Sequence, residues 1–80
     1  MDVGEAVRLR IIQLCRERDI SINCLCNMSG VTQSTINNII CGRNKSTTIS
    51  TIKKLCDGLN ISLTEFFMSE FFADLEQEVK

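Results

Sequence analysis

A glycine at position 30 stands between two short stretches whose apolar residues have helical spacing. Glycine adopts the positive φ that a tight corner between two helices requires, at no steric cost. Thr32 can cap the helix that follows, and Gly42 is expected to end it in a left-handed conformation. The sequence therefore predicts two short helices joined at Gly30. Their inward-facing residues recur at i, i+3 and i+4 in both stretches: Ile22, Leu25, Cys26 and Ser29, then Ile36, Ile39 and Ile40.

Three further helices are predicted around this pair. The first runs from about Val3 to Arg18. Ser50 is expected to cap a fourth helix that ends at Asn60, a residue that tolerates the left-handed conformation. Ser62 and Glu65 have the spacing of a capping box and open a fifth helix. With no proline and no alternating apolar pattern, the chain is predicted to be all-α.

The composition indicates one small soluble domain. The 80 residues are 44% hydrophobic and 24% charged, which is ordinary for a globular protein. No apolar run is long enough for a membrane span, and no basic-then-apolar leader is present, so we expect a cytoplasmic protein without a membrane partner.

Five cysteines are present, but no histidine and no C-x-x-C pair. Structural zinc sites need closely spaced Cys or His ligands, so reduced cysteines that pack as small hydrophobes are the favoured interpretation. Without histidine as a base or a visibly activated thiol, an enzyme is the least favoured class. We expect no metal, cofactor or small-molecule ligand.

The net charge of −1 hides an uneven distribution along the chain. No Asp or Glu occurs from residue 20 to residue 56, whereas the last sixteen residues are strongly acidic. The positive residues of the middle segment are Arg43, Lys45, Lys53 and Lys54. A locally positive middle and an acidic end are compatible with a nucleic-acid partner for the middle segment alone.

The order of these signals resembles the phage-repressor and Cro-like (XRE-type) helix-turn-helix family from about Val7 to Phe67. The resemblance rests on Gly30-Val31-Thr32, Gly42-Arg43, Thr51 to Cys56, and Leu59 to Leu63, all in register. It implies a five-helix repressor-like bundle at 1–68. Residues 69–80 lie beyond the resemblance, and their pattern predicts a short helical C-terminal extension that is acidic and amphipathic. The apolar residues of this extension are Phe71, Phe72, Leu75 and Val79.

The resemblance also implies a function and a set of contacts. The protein would be a sequence-specific transcriptional regulator that binds double-stranded DNA as a homodimer on a short operator, with a recognition helix at about 33–40 in the major groove. The residues expected to contact base edges have amide or hydroxyl groups, which form hydrogen bonds with bases: Gln33, Ser34, Asn37 and Asn38. Contacts to the DNA backbone are assigned to Thr32, Arg43, Asn44, Lys45 and Thr47.

The chain departs from its relatives at three places. Ile22 stands where many of them carry a phosphate-contacting Gln, so fewer phosphate contacts and weak monomer binding are expected. Cys15 and Ile40 replace an Arg and a Glu that pair in relatives, and we expect these two side chains to touch. Ser29 occupies a usually apolar position.

Two questions stay open at the level of sequence. The apolar residues of 69–80 could pack back on the domain or form a homodimer surface. A protein-interaction module on the same fold, with weak or no DNA binding, is the alternative function.

Overall fold

The computed structural model describes residues 1–42 and 47–79, and within these ranges the chain is all-helical. Five α-helices occur there: α1 (Val3–Glu17), α2 (Ile22–Ser29), α3 (Gln33–Ile40), α4 (Ile49–Leu59) and α5 (Leu63–Phe67), followed by a 3₁₀ turn at Glu70–Phe72. The predicted five-helix architecture is confirmed. No helix in the described part of the chain is long and apolar enough to cross a membrane.

Polar side chains cap the start of each helix. The hydroxyls of Thr32 and Ser62 accept hydrogen bonds from the backbone N–H three residues on, as predicted, and the Ser21 hydroxyl does the same for α2. The predicted cap of α4 is wrong: Thr48, not Ser50, accepts from the Thr51 N–H at 3.2 Å, and α4 begins at Ile49. Both residues carry a hydroxyl at the end of the same polar segment, so the local sequence did not indicate which of the two caps the helix.

Left-handed residues end four of the helices in the described part of the chain: Gly30, Gly42 and Asn60 as expected, and also Asp19, with φ +52°, after α1. Gly30 has φ +72° and its N–H donates to the Cys26 carbonyl at 3.0 Å. Gly42, with φ +75°, follows the C-cap of α3, and Asn60, with φ +59°, ends α4. Because a Cβ at Gly30 would meet nothing within 4 Å, the corner needs glycine for its backbone conformation and not for space.

A single apolar core joins the five helices. Its most deeply buried side chains include Leu25, Ile36, Leu55 and Phe66. Three of the cysteines, Cys15, Cys26 and Cys56, belong to this core, where they pack as small hydrophobes. Burial raises the pKa of the Cys15 and Cys56 thiols above the ordinary value. Ile40 packs at the edge of the core, and its contact with Cys15 stays a prediction.

The backbones of α2 and α4 approach closely at Gly58. A Cβ on this residue would lie 2.8 Å from both Cα and N of Ser29, and 2.9 Å from the carbonyl carbon of Met28. Such a short separation leaves no room for a side chain at position 58, so glycine is required there for space. The Ser29 hydroxyl donates to the Leu25 carbonyl at 2.7 Å, so its polar atom is satisfied within α2.

Arg10 of α1 is buried and holds the end of α5. Its Nε donates to the Phe66 carbonyl and its Nη2 to the Glu65 carbonyl, each at 2.7 Å. Its Nη1 donates to Oε1 of Gln13 at 2.7 Å. The carbonyls at a helix C-terminus lack intrahelical partners, and a cation there also offsets the helix dipole. The sequence pattern did not single out Arg10.

The C-terminal extension is shorter as a helix than expected. After the 3₁₀ turn, no helix is found among residues 73–79, and Val79 is 78% exposed instead of sharing an apolar face. Seven residues are too few to stabilise a helix alone, and acidic residues near its C-terminus would oppose the dipole. Phe72 packs on the domain, its ring centroid 5.0 Å from that of Phe67, and the Glu76 N–H donates to the Met1 carbonyl. These contacts favour the extension packing back on its own domain.

Candidate nucleic-acid interface

The outer face of α3 is polar and exposed. Ile36 and Ile39 point into the core with at most 1% of their surface exposed, and they fix the rotation of the helix about its axis. The four residues assigned to base contacts from the sequence are all exposed: Gln33, Ser34, Asn37 and Asn38. Residues three and four apart share a helix face, so these side chains form one continuous surface of amides and a hydroxyl.

One hydrogen bond ties this face to the neighbouring helix. Nε2 of Gln33 donates to Oδ1 of Asn23 at 2.6 Å, which links the first residue of α3 to the second residue of α2 across the Gly30 corner. Both side chains are exposed. Asn23 was not predicted as a site residue from the sequence. An exposed polar residue on a helix does not indicate a function until its partner on another helix is known.

The start of α3 presents free backbone donors. Thr32 is exposed, and its hydroxyl accepts from the Thr35 N–H at 3.3 Å and lies 2.8 Å from the Thr35 hydroxyl. That hydroxyl therefore serves primarily as the helix cap. The first-turn N–H groups beside it carry the positive end of the helix dipole, an arrangement that suits an anion such as phosphate.

The segment after α3 is only partly described. Arg43, Asn44 and Lys45, all assigned to the DNA backbone, lie outside the described residues. Thr47 is half-buried, its Oγ1 atom is buried, and it lines a concavity with Val3 and Val7. In this conformation its hydroxyl faces the domain and is not offered to a phosphate.

Two lysines follow this segment on α4, but only one of them adds an unpaired positive charge among the described residues. Lys53 and Lys54 are both exposed on α4. The Lys53 ammonium forms an i, i+4 ion pair with the Asp57 carboxylate, and this hydrogen bond raises the pKa of Lys53. Lys54 forms no ion pair with any residue in 1–42 or 47–79. The positive potential of the middle segment is therefore partly neutralised at its C-terminal end.

The comparisons with known proteins agree with this geometry. Residues 10–70 match the family model of the Cro/C1-type HTH DNA-binding domain. The chain is also similar to a solved structure described as the prophage Lp1 protein 11, with 34% sequence identity and a TM-score of 0.81 over 94% of this chain and 100% of that one. No curated protein matches the chain. The family match spans most of the chain and includes all five helices, in whole or in part, so the protein belongs to the Cro/C1-type helix-turn-helix DNA-binding family.

Proposed function

We propose that this protein is a sequence-specific transcriptional regulator that inserts α3 into the major groove of a short operator and acts as a homodimer. The observation that carries the proposal is the exposed amide face of a helix whose opposite face is anchored in the core by Ile36 and Ile39. A helix anchored in this way presents its polar edge at a defined angle, which reading of base edges requires.

Each base-reading residue has a role suited to its chemistry. The amides of Gln33 and Asn38 pair with adenine. Each amide N–H donates to N7 of the base, and each amide oxygen accepts from N6. Ser34 accepts or donates and therefore tolerates several bases. Asn37 contacts a base or a phosphate beside them.

Backbone contacts supply affinity without sequence preference. The N–H groups at the start of α3 bind one phosphate, and Arg43 and Lys45 bind others. Because the side chain of Ile22 has no donor and Lys53 is paired with Asp57, a monomer makes few such contacts. Each phosphate contact changes the salt dependence of binding by about one unit, so the monomer binds weakly and two half-sites are needed.

A protein-interaction module is the second candidate function. It is favoured by the exposed apolar side chains of Ile49 (61%) and Met68 (73%) and by the net charge of −1. On this reading α3 would contact no DNA, and the exposed apolar residues would bind a partner protein.

A selection of bound duplexes from a random DNA pool, followed by a salt titration of the best sequence, tests the proposed function. Asn38→Ala should relax the preference at one base pair, whereas Lys45→Ala should weaken binding to all sequences alike and reduce the salt dependence. If no sequence is enriched at low salt, the interaction module becomes the better explanation. Sedimentation with and without the selected duplex tests the homodimer.

A further inference from the structure

We infer that Asn23 is a positioning residue for base reading: it orients the amide of Gln33 and offers its own N–H₂ group to the DNA backbone. The inference rests on the proposed function, in which α3 lies in the major groove. It adds a residue of α2 to the recognition surface and assigns that residue an effect on base preference without contact to a base.

The two side chains start from two firmly packed helices. Gly58 of α4 contacts the backbone of α2, and α3 is anchored by Ile36 and Ile39. A free glutamine side chain has several rotamers and loses that freedom on binding. The hydrogen bond of 2.6 Å between Gln33 and Asn23 selects one of them before DNA is present.

Counting donors and acceptors gives the base preference. The amide of Gln33 has two N–H donors and a carbonyl acceptor, and one N–H is donated to Asn23. The remaining edge offers one donor and one acceptor, which complements N7 and N6 of adenine. Guanine presents two acceptors, N7 and O6, in the same place and needs two donors. The bond to Asn23 therefore biases Gln33 toward adenine and against guanine.

The same bond uses only the carbonyl oxygen of Asn23, an exposed residue, and leaves its N–H donors available. Its carbonyl oxygen is occupied by Gln33, and within residues 1–42 and 47–79 its N–H₂ group makes no hydrogen bond that would compete with DNA. A phosphate at the edge of the groove is the acceptor that such a donor meets. Asn23 thus supplies, one residue later in α2, a side-chain donor that Ile22 lacks.

Two substitutions separate the two roles. Asn23→Ala removes both the acceptor and the donors, and the discrimination of adenine over guanine at the Gln33 base pair should fall about tenfold. Asn23→Asp keeps the acceptor for Gln33 but replaces the donors with a negative charge. It should retain the discrimination and weaken binding to every sequence, most strongly at low salt.

Asn27 provides the matched control, since it is an exposed amide one turn further along α2. Asn27→Ala should leave discrimination unchanged. Asn27→Asp should weaken all sequences through its charge and also leave discrimination unchanged. If the wild-type protein prefers adenine over guanine and Asn23→Ala keeps that preference in full, the positioning role is overturned. If Asn23→Asp loses as much of the preference as Asn23→Ala, the assignment of Gln33 as the donor in the bond is overturned.

A measurement without DNA distinguishes this inference from the proposed function. In ¹⁵N–¹H spectra of the free protein, Asn23→Ala should shift the Gln33 side-chain N–H₂ resonances and speed their hydrogen exchange, whereas Asn27→Ala should do neither. Unchanged Gln33 resonances overturn the hydrogen bond itself. If the spectra change but the wild-type protein selects no sequence, the base-reading role fails together with the proposed function while the bond stands.

Discussion

Replacement of Gly58 with alanine tests how closely α2 is packed on α4. The added Cβ would lie 2.8 Å from Cα and N of Ser29, and these are backbone atoms that cannot rotate away. Ordinary van der Waals contact begins near 3.4 Å, so the two helices must separate by about 0.6 Å. The substitution therefore loosens the attachment of α2, the helix that carries Asn23, to the domain.

The expected cost is the difference of two terms. Overpacking a close contact costs about 1–3 kcal/mol, and the higher value applies where backbone atoms must move. The gain in helix propensity from glycine to alanine returns about 1 kcal/mol. With the higher cost, the net loss in the free energy of unfolding is about 2 kcal/mol, which lowers Tm by about 8–16 °C for a domain of this size.

Urea and thermal unfolding followed by circular dichroism measure this change. Lys54→Ala is the matched control because Lys54 is an exposed residue of the same helix, and its effect should stay within about 0.5 kcal/mol. A Gly58→Ala variant with a raised Tm would show that helix propensity outweighs the contact, and the close approach of the two backbones would be refuted.

Three further predictions concern the caps and the core. Arg10→Met leaves the Phe66 and Glu65 carbonyls without their donors and should cost about 1–3 kcal/mol in urea unfolding, a loss that an unchanged midpoint would contradict. Thr48→Ala should cost about 1 kcal/mol as the loss of a helix cap, whereas Ser50→Ala should stay within about 0.5 kcal/mol; the reverse order would restore Ser50 as the cap. Because burial raises the pKa of Cys56 and Cys15 above 9.0, the folded state binds more protons than the unfolded state at alkaline pH, and stability should fall as the pH rises above 9.0. Unfolding at pH 8 and at pH 10 measures this decrease in stability. A Cys15→Ala/Cys56→Ala double variant should be less stable at both pH values but should not show the decrease. If the double variant loses as much stability between pH 8 and pH 10 as the wild type, other groups cause the decrease.

The exposed polar face of α3 was predictable in part. A period of 3.6 residues assigns Ile36 and Ile39 to the core and thereby turns Gln33 and Asn38 outward, so their exposure followed from spacing alone. The bond between Gln33 and Asn23 did not, because it joins two helices and depends on their crossing angle. Whether those outward side chains contact bases stays a prediction.

The sequence by itself determined the features that depend on a few consecutive residues. Helix caps such as Ser21 and Ser62, the corner at Gly30 and the apolar faces follow from local backbone chemistry and from helical periodicity. Even there, two neighbouring hydroxyls left the start of α4 ambiguous by two residues.

Only the tertiary structure decided the contacts between distant segments. Arg10 donates to Phe66, which is 56 residues away, and Gly58 meets Ser29 across the interface between α4 and α2. Such contacts depend on where each helix axis lies, and that placement is set by the packing of the whole core. A pattern confined to one helix carries no information about it, because periodicity defines which face is buried but not which residues of another helix cover that face.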